Sequence, residues 1–153
     1  MIYSIEEIKN NLQNWKNESK SIVFTNGCFD LLHRGHENLL IAAKSKGDIL
    51  IVGLNSDSSV RQLKGNSRPI ESQNIRAKKL SKLEVVNGIC IFKSKTPKDL
   101  IQTIKPNVLV KGGDYKKGLI VGSNMIKSWG GKVVIIPLTK GFSTTLIIEK
   151  NRR

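Results

Sequence analysis

The stretch Thr25–His36, TNGCFDLLHRGH, sets two histidines three residues apart, His33 and His36, with Gly35 between them. They stand where an apolar run (Ile22, Val23, Phe24) gives way to the helical spacing of Leu39, Leu40, Ala42 and Ala43. At the carboxyl edge of an open α/β sheet, a helix N-terminus offers unpaired N–H groups to phosphate. Imidazoles beside those groups can hydrogen-bond to, or protonate, phosphoryl oxygens as charge develops on them. Gly35 lets backbone approach a ligand closely. A His-x-x-His pair alone is also an ordinary surface feature, so its place at the junction carries the reading. Zinc is not indicated: Asp30 is near, but no third ligand has suitable spacing.

Further polar groups fall where strands should end. Lys111-Gly112-Gly113-Asp114-Tyr115 closes one apolar run, and its paired glycines allow a sharp turn. Asp114 could accept from a base or ribose; the segment equally suits a plain turn. Gly141-Phe142-Ser143-Thr144-Thr145 precedes Leu146, Ile147 and Ile148, and its hydroxyls suit either a helix cap or a second phosphate cradle. Asn55 and Asp57 follow the second strand, and Arg76 early in a helix could reach in as a phosphate clamp. The irregular stretch Leu63–Ile70, LKGNSRPI, offers Lys64, Ser67 and Arg68 as anion contacts beside Gly65, as a mobile lid would.

These groups need a scaffold that gathers strand ends. Short apolar runs predict strands at 22–26, 48–54, 88–92, 107–111 and 132–136. Helical spacing predicts helices at 36–46, 56–62, 71–82, 96–104, 117–129 and 143–151. Thr96 is expected as the cap of the 96–104 helix, with Pro97 at its first position. Before them, Ser4 and Glu7 form a capping box ahead of Ile5, Ile8, Leu12 and Trp15, which predicts an amphipathic helix over 4–18. Strands alternating with helices imply parallel pairing with crossover helices. The expected fold is α/β: a single Rossmann-like, doubly wound, parallel five-stranded sheet with an N-terminal amphipathic helix. It forms one domain over 1–153, with 1–20 packed on it.

The 153 residues are 39% hydrophobic and 25% charged, ordinary for a soluble globular domain. Apolar runs reach only about five residues, against roughly 20 for a membrane span. The start, MIYSIEEIKNN, has no basic region followed by an apolar one, so no secretory signal is expected. Cys28 and Cys90 belong to no CxxC pattern and are expected as reduced thiols in a cytoplasmic protein. The net charge of +14 raises a nucleic-acid reading. It is set aside because the excess is mainly dispersed lysine with few aromatics for base stacking. Neither nucleic acid nor membrane is an expected partner.

Together these segments resemble the HxGH nucleotidyltransferase superfamily of cytidylyltransferase type, and most of all the adenylyltransferase domain that makes ADP-heptose. The resemblance rests on TNGCFDLLHRGH (Thr25–His36), GLNSD (Gly53–Asp57), LKGNSRP (Leu63–Pro69), Arg76, Thr96–Pro97, VKGGDY (Val110–Tyr115) and STT (Ser143–Thr145), in order along the chain. It implies that a sugar 1-phosphate, D-glycero-β-D-manno-heptose 1-phosphate, attacks the α-phosphorus of ATP and releases pyrophosphate. By that pattern His33, His36 and Lys64 are catalytic. Thr25, Asn26, Gly27, Phe29, Asp30 and Gly35 line the nucleotide site, and Arg76 contacts the β- and γ-phosphates. Lys111, Gly113, Asp114 and Tyr115 hold the nucleoside, while Ser143, Thr144 and Thr145 cradle phosphates. Asn55, Asp57, Lys64 and Arg68 face the acceptor. Mg²⁺ is carried by ATP and no protein metal site is implied. Such enzymes often form homodimers, and the sugar kinase of the pathway is expected on a separate chain.

Three places depart from that pattern. Asn74 and Asn87 replace acidic residues and are expected as surface drift, and Ser94-Lys95 replaces an acidic pair before Thr96. The rivals are a glycerol-3-phosphate-type cytidylyltransferase and, more remotely, a non-catalytic nucleotide or nucleic-acid binder.

Overall fold

A computed structural model describes residues 1–113, 120–137 and 147–148. Five strands form one parallel sheet: β1 (Ile22–Gly27), β2 (Ile49–Asn55), β3 (Gly88–Phe92), β4 (Val108–Gly112) and β5 (Lys132–Ile136). Their spatial order is β3-β2-β1-β4-β5. The chain works outward from β1 to β3, then crosses back to β4, so the order reverses beside β1. A crevice opens there at the carboxyl ends of the strands, where ligands bind in such sheets. Every strand lies within one residue of its expected position.

The strands are nearly continuous apolar runs because both faces are covered. Residues alternate between faces, so β1 sends Ile22 and Phe24 to one core and Val23 to the other. The first core is closed by α1 (Ile5–Asn17), α5 (Lys98–Ile104) and α6 (Ser123–Ser128), through Ile8, Leu12, Leu100, Ile101, Ile104 and Ile126. The second is closed by α2 (Arg34–Lys44) and α4 (Gln73–Ser81), through Leu40, Ala43, Ala77 and Leu80. The helix α3 (Asp57–Lys64) sits over the end of β2 and seals Val60 completely.

Local signals set most boundaries. The Ser4–Glu7 box forms in both directions, at 3.2 Å and 3.1 Å, and starts α1. Ahead of it, Met1 and Tyr3 pair along the outer edge of β3: the Tyr3 N–H donates to the Ile89 carbonyl and the Ile89 N–H to that of Met1. Ser56 caps α3, which continues to Lys64, two residues beyond expectation, and ends on Gly65 at φ 93°. Thr96 does not cap α5. The cap position falls on Pro97, which has no N–H and makes no side-chain cap, and the helix starts at Lys98. The described part of the expected 117–129 helix is α6; the 143–151 helix lies outside the described residues except Ile147 and Ile148.

Asn87 is not surface drift. Its side-chain oxygen accepts from the Leu50 N–H at 2.8 Å and from Lys44 Nζ at 2.7 Å, tying the start of β2 to α2. Among the described residues no helix is long and apolar enough to cross a membrane.

Candidate active site

The helix α2 begins at Arg34, so His33 is its N-cap and His36 its third residue. The two rings cap each other's backbone. The His36 N–H donates to His33 Nδ1 at 3.4 Å, and the His33 N–H donates to His36 Nδ1 at 3.3 Å. The rings stack, with centroids 3.7 Å apart and planes 19° from parallel. An Nδ1 that accepts a hydrogen bond carries no proton, so each neutral ring bears its proton on Nε2. Burial pushes His36 down to about 4, helped by the charges of His33 and Lys64 and opposed by Asp30. His33 is also lowered by burial. Both are therefore neutral N–H donors near pH 7.

The turn before α2 is strained. Phe29 and Leu31 hold φ at 47° and 52°, conformations that side chains with a Cβ rarely adopt. Neighbouring segments hold them there. The Leu31 N–H donates to Glu71 Oε1 at 3.0 Å. Asp30, 1% exposed, accepts from the N–H groups of Ile70 (2.7 Å) and Glu71 (3.0 Å) and pairs with Arg68 Nε (3.3 Å). The connection 65–72 is thus anchored by its second half, while its first half, around Gly65, projects outward.

Phe29 differs from expectation. It is 5% exposed, its ring lies where a Cβ on Gly27 would come within 3.0 Å, and it meets the His36 ring edge-on at 5.3 Å. It packs against His36 and is almost wholly enclosed, which leaves at most a small edge for a nucleotide. Gly27 is needed for that close approach.

Arg76 also differs. It is 1% exposed, and every guanidinium nitrogen is used inside the protein. Nε donates to the Glu71 carbonyl, Nη1 to the carbonyls of Cys28 and Asn55 at 2.8 Å each, and Nη2 to Asp57 at 2.9 Å. It joins the ends of β1 and β2, the start of α3 and the anchored connection; four of its five N–H donors go to these contacts, which leaves at most one on Nη2 for a phosphate.

A cavity of about 480 Å³ lies over this edge. Asn26, Gly27 and Cys28 reach it from β1, Asn55 from β2, and Lys111 from β4. Leu63 and Lys64 close it from α3, with Lys95, Thr96 and Pro97 after β3. Lys64 links cavity and histidines, since its charge is felt at His36. Burial lowers the Lys111 pKa and raises that of Cys28. Thr25 is fully buried at the end of β1; its hydroxyl, like Nη2 of Arg68, has no hydrogen-bond partner among the described residues. Asn55 is buried and donates to Ser59 Oγ at 3.0 Å. Gly113 sits at φ 117° directly after β4, a turn that favours glycine. Asp114, Tyr115, Ser143, Thr144 and Thr145 lie outside the described residues.

Sequence reasoning did not select Cys28, Lys95 or Glu71 for the site. Lys95 was recoverable, since it lies three residues beyond a predicted strand, on the connection to the next helix. The part played by Glu71 arises from tertiary packing and has no local signature.

A family model described as cytidylyltransferase-like matches residues 24–150. The chain is 52% identical over 136 residues to the bifunctional protein HldE of Koribacter versatilis, covering 89% of this chain and 28% of that protein. It is 48% identical over 152 residues to HldE of Rhodopseudomonas palustris strain HaA2, covering 99% and 31%. It therefore spans about three-tenths of the length of these curated relatives. Among solved structures, the lipopolysaccharide core biosynthesis protein of Thermoplasma volcanium superposes with a TM-score of 0.63 at 28% identity, covering 80% of this chain and 99% of that one. Pantoate-β-alanine ligase of Francisella tularensis superposes with a TM-score of 0.66 at 17% identity, over 99% and 77%, a likeness of fold.

Proposed function

The chain belongs to the cytidylyltransferase-like family of nucleotidyltransferases, and we propose that it transfers AMP from ATP to a sugar 1-phosphate. The acceptor we propose is D-glycero-β-D-manno-heptose 1-phosphate, giving ADP-heptose and pyrophosphate. The observation that carries the mechanism is the mutual capping of His33 and His36, which fixes the proton of each neutral ring on Nε2.

The acceptor phosphate is already a dianion at neutral pH, its second ionisation lying near pH 6. Its oxygen needs no general base to attack the α-phosphorus. A bond forms from that oxygen to phosphorus, and the bond to the bridging β-phosphate oxygen breaks as pyrophosphate leaves. Catalysis is then positioning and charge stabilisation. Two neutral N–H donors at the N-terminus of α2 suit the charge that builds on the α-phosphoryl oxygens. A histidine held near 4 is a poor proton donor at neutral pH, which supports a stabilising role over acid catalysis. Lys64 would hold phosphate charge from the end of α3. Lys111 and the Gly113 turn would meet the nucleoside with Asp114 and Tyr115. Ser143, Thr144 and Thr145 would cradle phosphates. Arg68 would turn its unpartnered Nη2 to the sugar phosphate.

Mg²⁺ would neutralise phosphate charge, brought on the triphosphate. Asp30 does not fit as its ligand, because its oxygens already accept two backbone N–H groups and pair with Arg68. A sugar-phosphorylating activity must supply the acceptor, and a homodimer is the proposed assembly.

The test is pyrophosphate release with ATP or CTP crossed against heptose 1-phosphate, other sugar 1-phosphates and glycerol 3-phosphate. Turnover is expected with ATP and the heptose. Turnover with CTP and glycerol 3-phosphate alone would overturn the choice of substrates and leave nucleotidyl transfer intact.

A further inference from the structure

The cavity that Lys64 lines also receives Lys95, from the connection between β3 and α5. Lys111 is a third lysine in the lining, and no Asp or Glu appears among the described lining residues. Among the described residues no carboxylate pairs with Lys64 or Lys95. A neutral polyol would find few acceptors for its hydroxyl protons here, because lysines only donate. The side-chain acceptors in the lining are the amide oxygens of Asn26 and Asn55 and the Thr96 hydroxyl.

Sheet order says which substrate this wall meets. The histidines follow β1, and Lys111 lies at the end of β4 with Gly113 just after it; Lys95 follows β3, beyond β2 on the other side. With the nucleotide over β1 and β4, the β2–β3 side is left to the acceptor. The backbone around Lys95 is fixed. Ser59, itself fully buried, donates through Oγ to the Ser94 carbonyl at 2.7 Å, and Pro97 is buried at the start of α5. The side chain of Lys95 is exposed and extends from a held point.

We propose that Lys95 is a specificity-determining residue that binds an anionic group of the acceptor. This rests on the nucleotidyl transfer proposed above. The anion is either the attacking phosphate or a second negative group elsewhere on the sugar, and one experiment separates them. Calorimetric titration of the full chain would use mannose 1-phosphate, mannose 1,6-bisphosphate, heptose 1-phosphate and ATP. It would compare wild type with Lys95→Met and Lys95→Arg.

Lys95→Met is expected to weaken acceptor binding roughly five- to twenty-fold, as for a charge-assisted contact partly open to solvent, and to leave ATP within twofold. Lys95→Arg should recover most of the loss. Weakening of all three acceptors marks the attacking phosphate; weakening of the bisphosphate alone marks a second anionic group. Where the attacking phosphate is the group held, the KM for heptose 1-phosphate in pyrophosphate release should rise while kcat at saturation holds. Acceptor affinities unchanged in Lys95→Met, or ATP weakened as much as the acceptors, overturn the role of Lys95 and leave the reaction standing. A wild-type chain that binds none of these sugar phosphates overturns both.

Discussion

At the residue scale, His33 and His36 do two things, and substitution can separate them. Asparagine caps helices well, whereas alanine does not. His33→Asn is therefore expected to keep stability within about 1 kcal/mol of wild type, and His36→Asn keeps a side-chain oxygen at the third helical position to accept from the His33 N–H. Turnover should fall by roughly two to three decades with ATP affinity largely kept, since the lost donor acts on the transition state. Near-normal pyrophosphate release by both variants would remove the histidines from the mechanism. The low pKa of His36 has a second outcome. Its folded value is near 4 and its ordinary value 6.5, so between them the unfolded chain binds more protons. Its contribution to stability is present above about 6.5 and is lost as pH falls toward 4. Melting temperature should drop across that window, and drop less in His36→Asn. The acid limb of kcat/KM should lie near pH 6, set by the acceptor phosphate, and should persist in that variant. The pair was legible in the sequence; its capping role was not, because histidine is not among the residue types that announce an N-cap.

At the scale of elements, Arg76 and Asp30 hold the site's segments together. Arg76→Met would strand the carbonyls of Cys28, Asn55 and Glu71 and free Asp57. A loss of about 3–5 kcal/mol in urea unfolding is expected, as for breaking a buried charged network. Arg76→Lys should not rescue it, since one ammonium cannot serve four acceptors in a fixed fork. Wild-type stability with a raised KM for ATP would instead restore the phosphate-clamp role. Asp30→Ala should speed amide exchange at Ile70 and Glu71 by roughly tenfold or more, the loss of charge-assisted bonds. The sequence exposes elements well where signals are local: the Ser4–Glu7 box and the apolar runs of the strands. It marks Arg76 as a candidate contact but hides its structural role, because the residue sits in a polar helical stretch. Its partners come from four separate segments that only the finished sheet brings together.

At the scale of the molecule, alternating strand and helix patterns reveal a parallel sheet. The order β3-β2-β1-β4-β5 is a consequence of crossover packing that no single segment encodes. The net charge of +14 acts at this scale too. It should draw anionic substrates toward the lysine-lined edge, so kcat/KM for ATP is expected to fall several-fold between about 20 and 200 mM salt while kcat holds. Tight, salt-sensitive binding to RNA or DNA by a catalytically silent chain would favour the nucleic-acid alternative. The latch between Asp30, Leu31 and residues 68–71 reaches beyond geometry into thermodynamics. Fixing one residue's backbone costs roughly 1–2 kcal/mol of conformational entropy, and folding has already ordered this segment. Ligand binding is left to order only the outward half near Gly65. Calorimetry on Asp30→Ala should then show weaker association with nearly unchanged enthalpy, the loss falling on the entropy of binding.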